Sequence, residues 1–134
     1  MALAKALIKD GRPHEAAEFL EAARGKLPQD VLVEYFLGLA LDRTDRSTEA
    51  LAALSRAALL APNIAEVRFL RGKLLLKAGQ MEAGESELQQ VIRLSPTHSG
   101  AYLQLSRVYA RRGDLVNAKK LAARAAELRR HNTR

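Results

Sequence analysis

The chain has 134 residues, a formal net charge of +7, and neither cysteine nor tryptophan. The lack of cysteine excludes disulfides and thiolate metal sites. A hydrophobic fraction of 48% with only 4% aromatic residues suits helices packed on helices and argues against a β-rich core, in a chain long enough for one domain.

In chain order, helices are predicted near 2–10, 13–26, 30–43, 47–60, 64–77, 81–94, 98–111 and 115–130. The opening segment, Met1 to Asp10, has no long apolar run. It does not read as a signal peptide, and no later stretch reads as a membrane span, so the expected location is cytoplasmic. Pro13 suits the first turn of the second helix. Ser47 and Asp114 are expected N-caps. Gly11, Gly79 and Gly113 recur between helices, with Asp45 in the equivalent place. A glycine there accepts the left-handed conformation that ends a helix.

Pro28, Pro62 and Pro96 lie 34 residues apart, twice over. Aligned on them, Ala4, Gly38, Gly72 and Ser106 share a column, as do Ala16, Ala50, Gly84 and Ala118, and Ala23, Ala57, Val91 and Ala125. Small residues in register let two helices of a hairpin approach closely. Leu20, Leu54 and Leu88 form a large apolar column that ends at Ala122. The chain therefore divides into repeats of about 1–30, 31–64, 65–98 and 99–134, within one domain spanning 1–134.

These columns resemble the tetratricopeptide repeat. The second repeat matches best, through Leu37-Gly38, Leu41, Ala50, Leu54, Ala57 and Pro62. It departs at the head, where Glu34 and Arg68 stand in the aromatic column that only Tyr102 keeps. Arg71 replaces the Leu before Gly72, and Arg130 stands where a fourth Pro would fall. The resemblance implies an all-α, right-handed superhelical solenoid of about four antiparallel helical hairpins. It also implies a non-enzymatic role in holding a protein or peptide partner.

The first helix begins where the family pattern is already several residues in, as expected of a piece of a longer array or of a short natural first helix. The last helix reads as a polar end of the stack, with Lys119 and Glu127 where Leu51 and Leu59 stand two repeats earlier.

Charge is concentrated at that end. Residues 1–30 sum to 0, 31–64 to −1, 65–98 to +1 and 99–134 to +7. Lys119, Lys120, Arg124, Arg129, Arg130 and Arg134 crowd the last helix. They suit solvent and the helix's negative pole, with a nucleic acid or an acidic surface as the alternative. The three Tyr and three Phe supply few platforms for stacking bases, which disfavours nucleic acid. Self-association through exposed stack ends is a further expectation.

No catalytic constellation emerges. His14, His98 and His131 have no metal-ligand spacing and read as surface or loop residues, and the serines sit in no nucleophile elbow. Glu82, Glu85 and Glu87 are expected to face solvent early in their helix. No cofactor is expected.

In the family resembled, the first helix of each hairpin lines the concave face. Residues four apart share a helical face, which gives three groove columns: Met1, Tyr35, Phe69, Leu103; then Lys5, Leu39, Lys73, Arg107; then Lys9, Arg43, Lys77, Arg111. The expected site is Tyr35, Leu39, Arg43, Phe69, Lys73, Lys77, Leu103, Arg107 and Arg111, holding an acidic peptide with an apolar anchor. Tyr35-Phe36, Leu70 and Gln104 occupy places where the polar residues of a C-terminal carboxylate clamp would be wanted, which disfavours that ligand.

Overall fold

The computed structural model describes residues 1–132, so Arg134 of the basic cluster lies outside the described residues. Eight α-helices follow one another: α1 (Ala2–Lys9), α2 (Pro13–Lys26), α3 (Val31–Arg43), α4 (Ser47–Leu60), α5 (Ala65–Lys77), α6 (Met81–Leu94), α7 (Ser99–Arg111) and α8 (Leu115–Asn132). No strand occurs among the described residues.

The residues before α3, α5 and α7 are extended. Asp30 accepts hydrogen bonds from the Leu32 and Val33 amides, and His98 Nδ1 accepts one from the Ala101 amide. Asp114 accepts the Asn117 amide at 3.2 Å, as expected of an N-cap. Ser47 does not cap. It is the first residue of α4, the cap position falls to Arg46, and the Arg46 side chain pairs instead with Glu49.

Within each hairpin the first helix ends alike. Gly11, Gly79 and Gly113 have φ of 76°, 82° and 83°, and Asp45 has 59°. The amide after each of these residues reaches back five positions: Arg12 to the Leu7 carbonyl, Arg46 to Leu41, Gln80 to Leu75 and Asp114 to Tyr109. This is the bond that closes a helix through a left-handed residue.

Each odd-numbered helix packs mainly on the even-numbered helix that follows it, and each even-numbered helix packs on the next hairpin. In addition α1 approaches α3, and α3 approaches α5, more closely than successive even-numbered helices approach each other. The odd-numbered helices therefore form the inner side of the stack. The small columns sit at the tightest crossings, with Ala4, Ala16, Ala50 and Ala57 sealed. A Cβ on Gly38 would fall 2.5 Å from Leu54 Cδ2. Leu20, Leu54 and Leu88 are fully buried, each stabilising the stack by about 1.5–3 kcal/mol.

Two carboxylates are buried. Glu34 is 1% exposed and receives Arg24 Nε and Arg56 Nε, both at 2.9 Å. Glu87, expected on the surface with Glu82 and Glu85, is buried instead. Its Oε1 accepts from Arg68 Nη1 at 2.7 Å, and its Oε2 lies 3.2 Å from Arg71 Nη1, near enough for attraction but without hydrogen-bond geometry. A buried charge must find partners, and these arginines supply them. The charged residues in the aromatic column thus have structural work. Arg68 Nε also donates to the Pro62 carbonyl, the bond that Tyr102 makes one repeat later to the Pro96 carbonyl.

Candidate functional site

The expected groove residues all project from the odd-numbered helices, but they fall into three environments. Tyr35 and Leu39, on α3, are half-buried against the core of the first hairpins. The Tyr35 ring meets the edge of Phe36 at 5.2 Å. Burial pushes the Tyr35 hydroxyl pKa up, and Glu66 nearby adds to the effect. Arg43, in the last turn of the same helix, is exposed.

Phe69 and Leu103 lie further along. Phe69 packs against the second core cluster, around Leu88, Val91, Ala101 and Leu105. The His98 ring sits 4.4 Å from the Phe69 ring, and a Cβ on Gly100 would fall 2.8 Å from Phe69 Cζ. The ammonium of Lys73, one turn on, stands 4.8 Å from the Phe69 ring centre. Phe69 is therefore part of the α5–α7 junction, and its ring carries a cation. Leu103 is half-buried on α7.

His98 lies in the connection between α6 and α7, in keeping with the loop reading, but not on the surface. Its side chain is only 14% exposed. It caps α7 through Nδ1 while Nε2 lies 3.0 Å from Glu66 Oε1. Because Nδ1 accepts an amide proton, the ring's own proton is on Nε2 and points to Glu66.

The third environment is a cleft of about 270 Å³ between α5 and α7, closed below by the start of α6. It brings together Lys73, Lys77, Arg107 and Arg111, with Leu76, Met81, Gln104 and Val108 completing the wall. Among the described residues no carboxylate lines it. Lys77 reaches back to Asp42 at 3.4 Å and, more loosely, to Asp45 at 4.0 Å. Arg111 Nη1 lies 4.0 Å from Met81 Sδ. The neighbouring Arg112, by contrast, is turned away to Glu85 and the Tyr109 ring. The cleft thus gathers four of the nine expected residues; Tyr35, Leu39, Arg43, Phe69 and Leu103 lie outside its lining. Spacing by four identified its cations. Leu76 and Val108 carried no such signal, because Leu76 continues the apolar run of the buried Leu74 and Leu75 and Val108 is itself a core position.

Cations also cover α8, where Lys119, Lys120, Arg124, Arg129 and Arg130 are exposed. Arg124 pairs with Glu127 at 3.3 Å. Among the described residues no three His, Asp or Glu side chains are placed to hold a metal ion, and no helix is long and apolar enough to cross a membrane.

A family profile described as "Tetratricopeptide repeat" matches residues 7–74 and 75–134. Superkiller protein 3 of Schizosaccharomyces pombe is 27% identical over 114 residues, which is 85% of this chain but 8% of that protein. The chain therefore spans less than a tenth of the relative's length. Among solved structures, MamA superposes with a TM-score of 0.90 at 23% identity, covering 98% of this chain and 77% of that one. YrrB, titled a TPR protein with an unusual peptide-binding site, superposes with a TM-score of 0.83 at 24% identity, covering 93% of this chain and 64% of that one. At these identities the superpositions speak for the fold.

Proposed function

Since the chain belongs to the tetratricopeptide repeat family, we propose that it acts as a non-catalytic protein-interaction module whose four hairpins work as one domain. Its partner is a peptide segment that carries carboxylates and an apolar side chain, laid along the inner face formed by the odd-numbered helices. The observation that carries this reading is the cleft between α5 and α7, where four cations converge and, among the described residues, no carboxylate lines the wall. Like charges on one concave wall repel one another, and an anionic segment relieves that repulsion. Leu76 and Met81, half-buried in the same wall, offer apolar contact beside the charges. Tyr35 and Leu39 extend the apolar surface toward the N-terminal hairpins.

A protein partner is favoured over nucleic acid because aromatic side chains are few and those on the inner face are half-buried. A cytoplasmic location is part of the same proposal. Self-association through the stack ends is compatible with it, and light scattering across concentration reads it out.

The test uses a dye-labelled peptide, Gly-Leu-Glu-Glu-Phe-Glu-Gly, followed by fluorescence anisotropy. The parent chain should bind it, with affinity falling as salt rises. Lys73→Glu combined with Arg107→Glu should abolish the preference for this peptide over its glutamine counterpart. Reversing Lys119 and Lys120 should change little. Retention of binding by the cleft variant, with loss in the Lys119/Lys120 variant, would move the site to α8 and overturn the assignment.

A further inference from the structure

The cleft's cations are not equally occupied, and the difference bears on the kind of anion they suit. Lys77 is drawn toward Asp42, and Lys73 stands over the Phe69 ring. Arg107 and Arg111 line the same cleft one turn apart on α7. Both side chains are exposed, neither forms an ion pair among the described residues, and Gln104 lies one turn before Arg107. Two like charges at this spacing destabilise a helix slightly. Arg111 sits in the last turn, where the helix pole offsets its charge, but Arg107 does not.

We infer that this cleft is built for a dianionic group, a phosphorylated serine or threonine of the bound segment, with Arg107 and Arg111 as its principal ligands. The inference rests on the peptide-binding reading above and specifies its anion. A single carboxylate supplies one negative charge against four cations. A phosphate supplies about −1.5 to −2 near neutral pH, with three acceptor oxygens that two guanidinium forks can share. Lys73 and Lys77 flank the group as point charges, and the Gln104 amide is a further donor within the wall.

The experiment compares three dye-labelled peptides, Gly-Leu-Ala-Xaa-Ala-Leu-Gly, with Xaa as serine, glutamate or phosphoserine, against the full chain by anisotropy. At pH 7.5 the phosphoserine peptide should bind at least about tenfold more tightly than the glutamate peptide. The advantage should shrink at pH 5.5, because the phosphate takes up its second proton near pH 6. The protein groups around the cleft are Lys73, Lys77, Arg107 and Arg111, with Asp42 and Asp45 behind Lys77 and His98 and Glu66 beyond Phe69. The glutamate peptide, facing the same protein groups, is the control for any pH response of the protein itself. Arg107→Gln and Arg111→Gln should each remove most of the phosphoserine advantage, and Arg107→Lys should restore only part of it, since a lysine lacks the fork. Equal binding of the glutamate and phosphoserine peptides would overturn the phosphate assignment while leaving the acidic-peptide reading in place. Failure of all three peptides, with the dye-labelled Gly-Leu-Glu-Glu-Phe-Glu-Gly also unbound, would overturn both. A phosphoserine advantage that survives both glutamine variants would place the phosphate elsewhere and refute the cleft as its site.

Discussion

Replacing Gly38 by Ala should destabilise the chain, although the same change at an open helical position should stabilise it. Gly38 lies where α3 crosses α4, and an added Cβ would stand 2.5 Å from Leu54 Cδ2, 2.8 Å from Leu54 Cγ and 3.4 Å from the Ala50 carbonyl. Carbon atoms rest at about 3.5–4.0 Å, so the overlap approaches an ångström. Leu54 is fully buried and has no open space to turn into. Either its rotamer is forced or the two helices separate, at a cost of about 1–3 kcal/mol. Alanine's better helix propensity returns up to about 1 kcal/mol, leaving a net loss of up to about 2 kcal/mol. At Gly25, in the last turn of α2, an added Cβ meets nothing within 4 Å and the backbone is helical, so Gly25→Ala should gain about 0.5–1 kcal/mol. Urea unfolding followed by circular dichroism should show the two midpoints moving in opposite directions at similar slopes. Gly72→Ala, whose nearest contacts are 3.2–3.3 Å, should fall between them. If Gly38→Ala unfolded at or above the parent's midpoint, the argument that α3 and α4 meet through this glycine would be refuted.

Three further outcomes follow from the described geometry. Removing both Arg24 and Arg56 as alanines should cost about 3–5 kcal/mol, because it strands the buried Glu34 carboxylate. Glu34→Leu should cost far less, since the released arginines are partly exposed and can hydrate; chemical denaturation of the two variants compares them directly. Asp45→Gly should stabilise by about 0.5–1 kcal/mol, seen as a raised melting temperature, because glycine holds the left-handed conformation without steric cost. Hydrogen bonds from the Asn117 side chain and backbone hold the Asp114 carboxyl below the usual aspartate range. The α8 cap is therefore fully effective above the ordinary aspartate pKa and is lost as pH falls through the lowered value. Amide exchange at the start of α8 should accelerate in acid, and Asp114→Asn should flatten that dependence.

The fold was legible because its punctuation is chemical. Pro28, Pro62 and Pro96 cannot continue a helix, and Gly11, Gly79 and Gly113 favour the backbone that ends one. Even Asp45 could be read from its column. The buried carboxylates were less open to inspection. Glu34 looked like a flaw in an aromatic column, because its partners Arg24 and Arg56 sit on two other helices. Glu87 did carry a signal: one repeat earlier its place is held by Ala53, which is fully buried. Two neighbouring glutamates made a solvent-facing reading attractive. The cation columns could be read from helical spacing, but their convergence depends on how closely α5 and α7 approach over the start of α6. Lys73 over Phe69 is an i,i+4 contact within α5, whereas the cover that His98 adds comes from the cap of α7 in the next hairpin, where one-repeat periodicity says nothing.

The pairing of charges has a consequence for how the hairpins may be combined. The backbone path and the small-residue columns return with each unit, so on shape alone the units look interchangeable. The exposed Arg12–Glu15 pair returns as Arg46–Glu49, but the ion pairs of the buried carboxylates do not return. Where Glu34 meets Arg24 and Arg56, the next unit has Arg68, and the position of Arg71 is held one unit earlier by Leu37. Exchanging the second and third hairpins would preserve the glycine crossings within each hairpin yet bring Arg68 toward Arg24 and leave Glu34 without its arginine from α2. Each hairpin therefore carries an address written in charge, and the order of the units is as much a property of this sequence as their form.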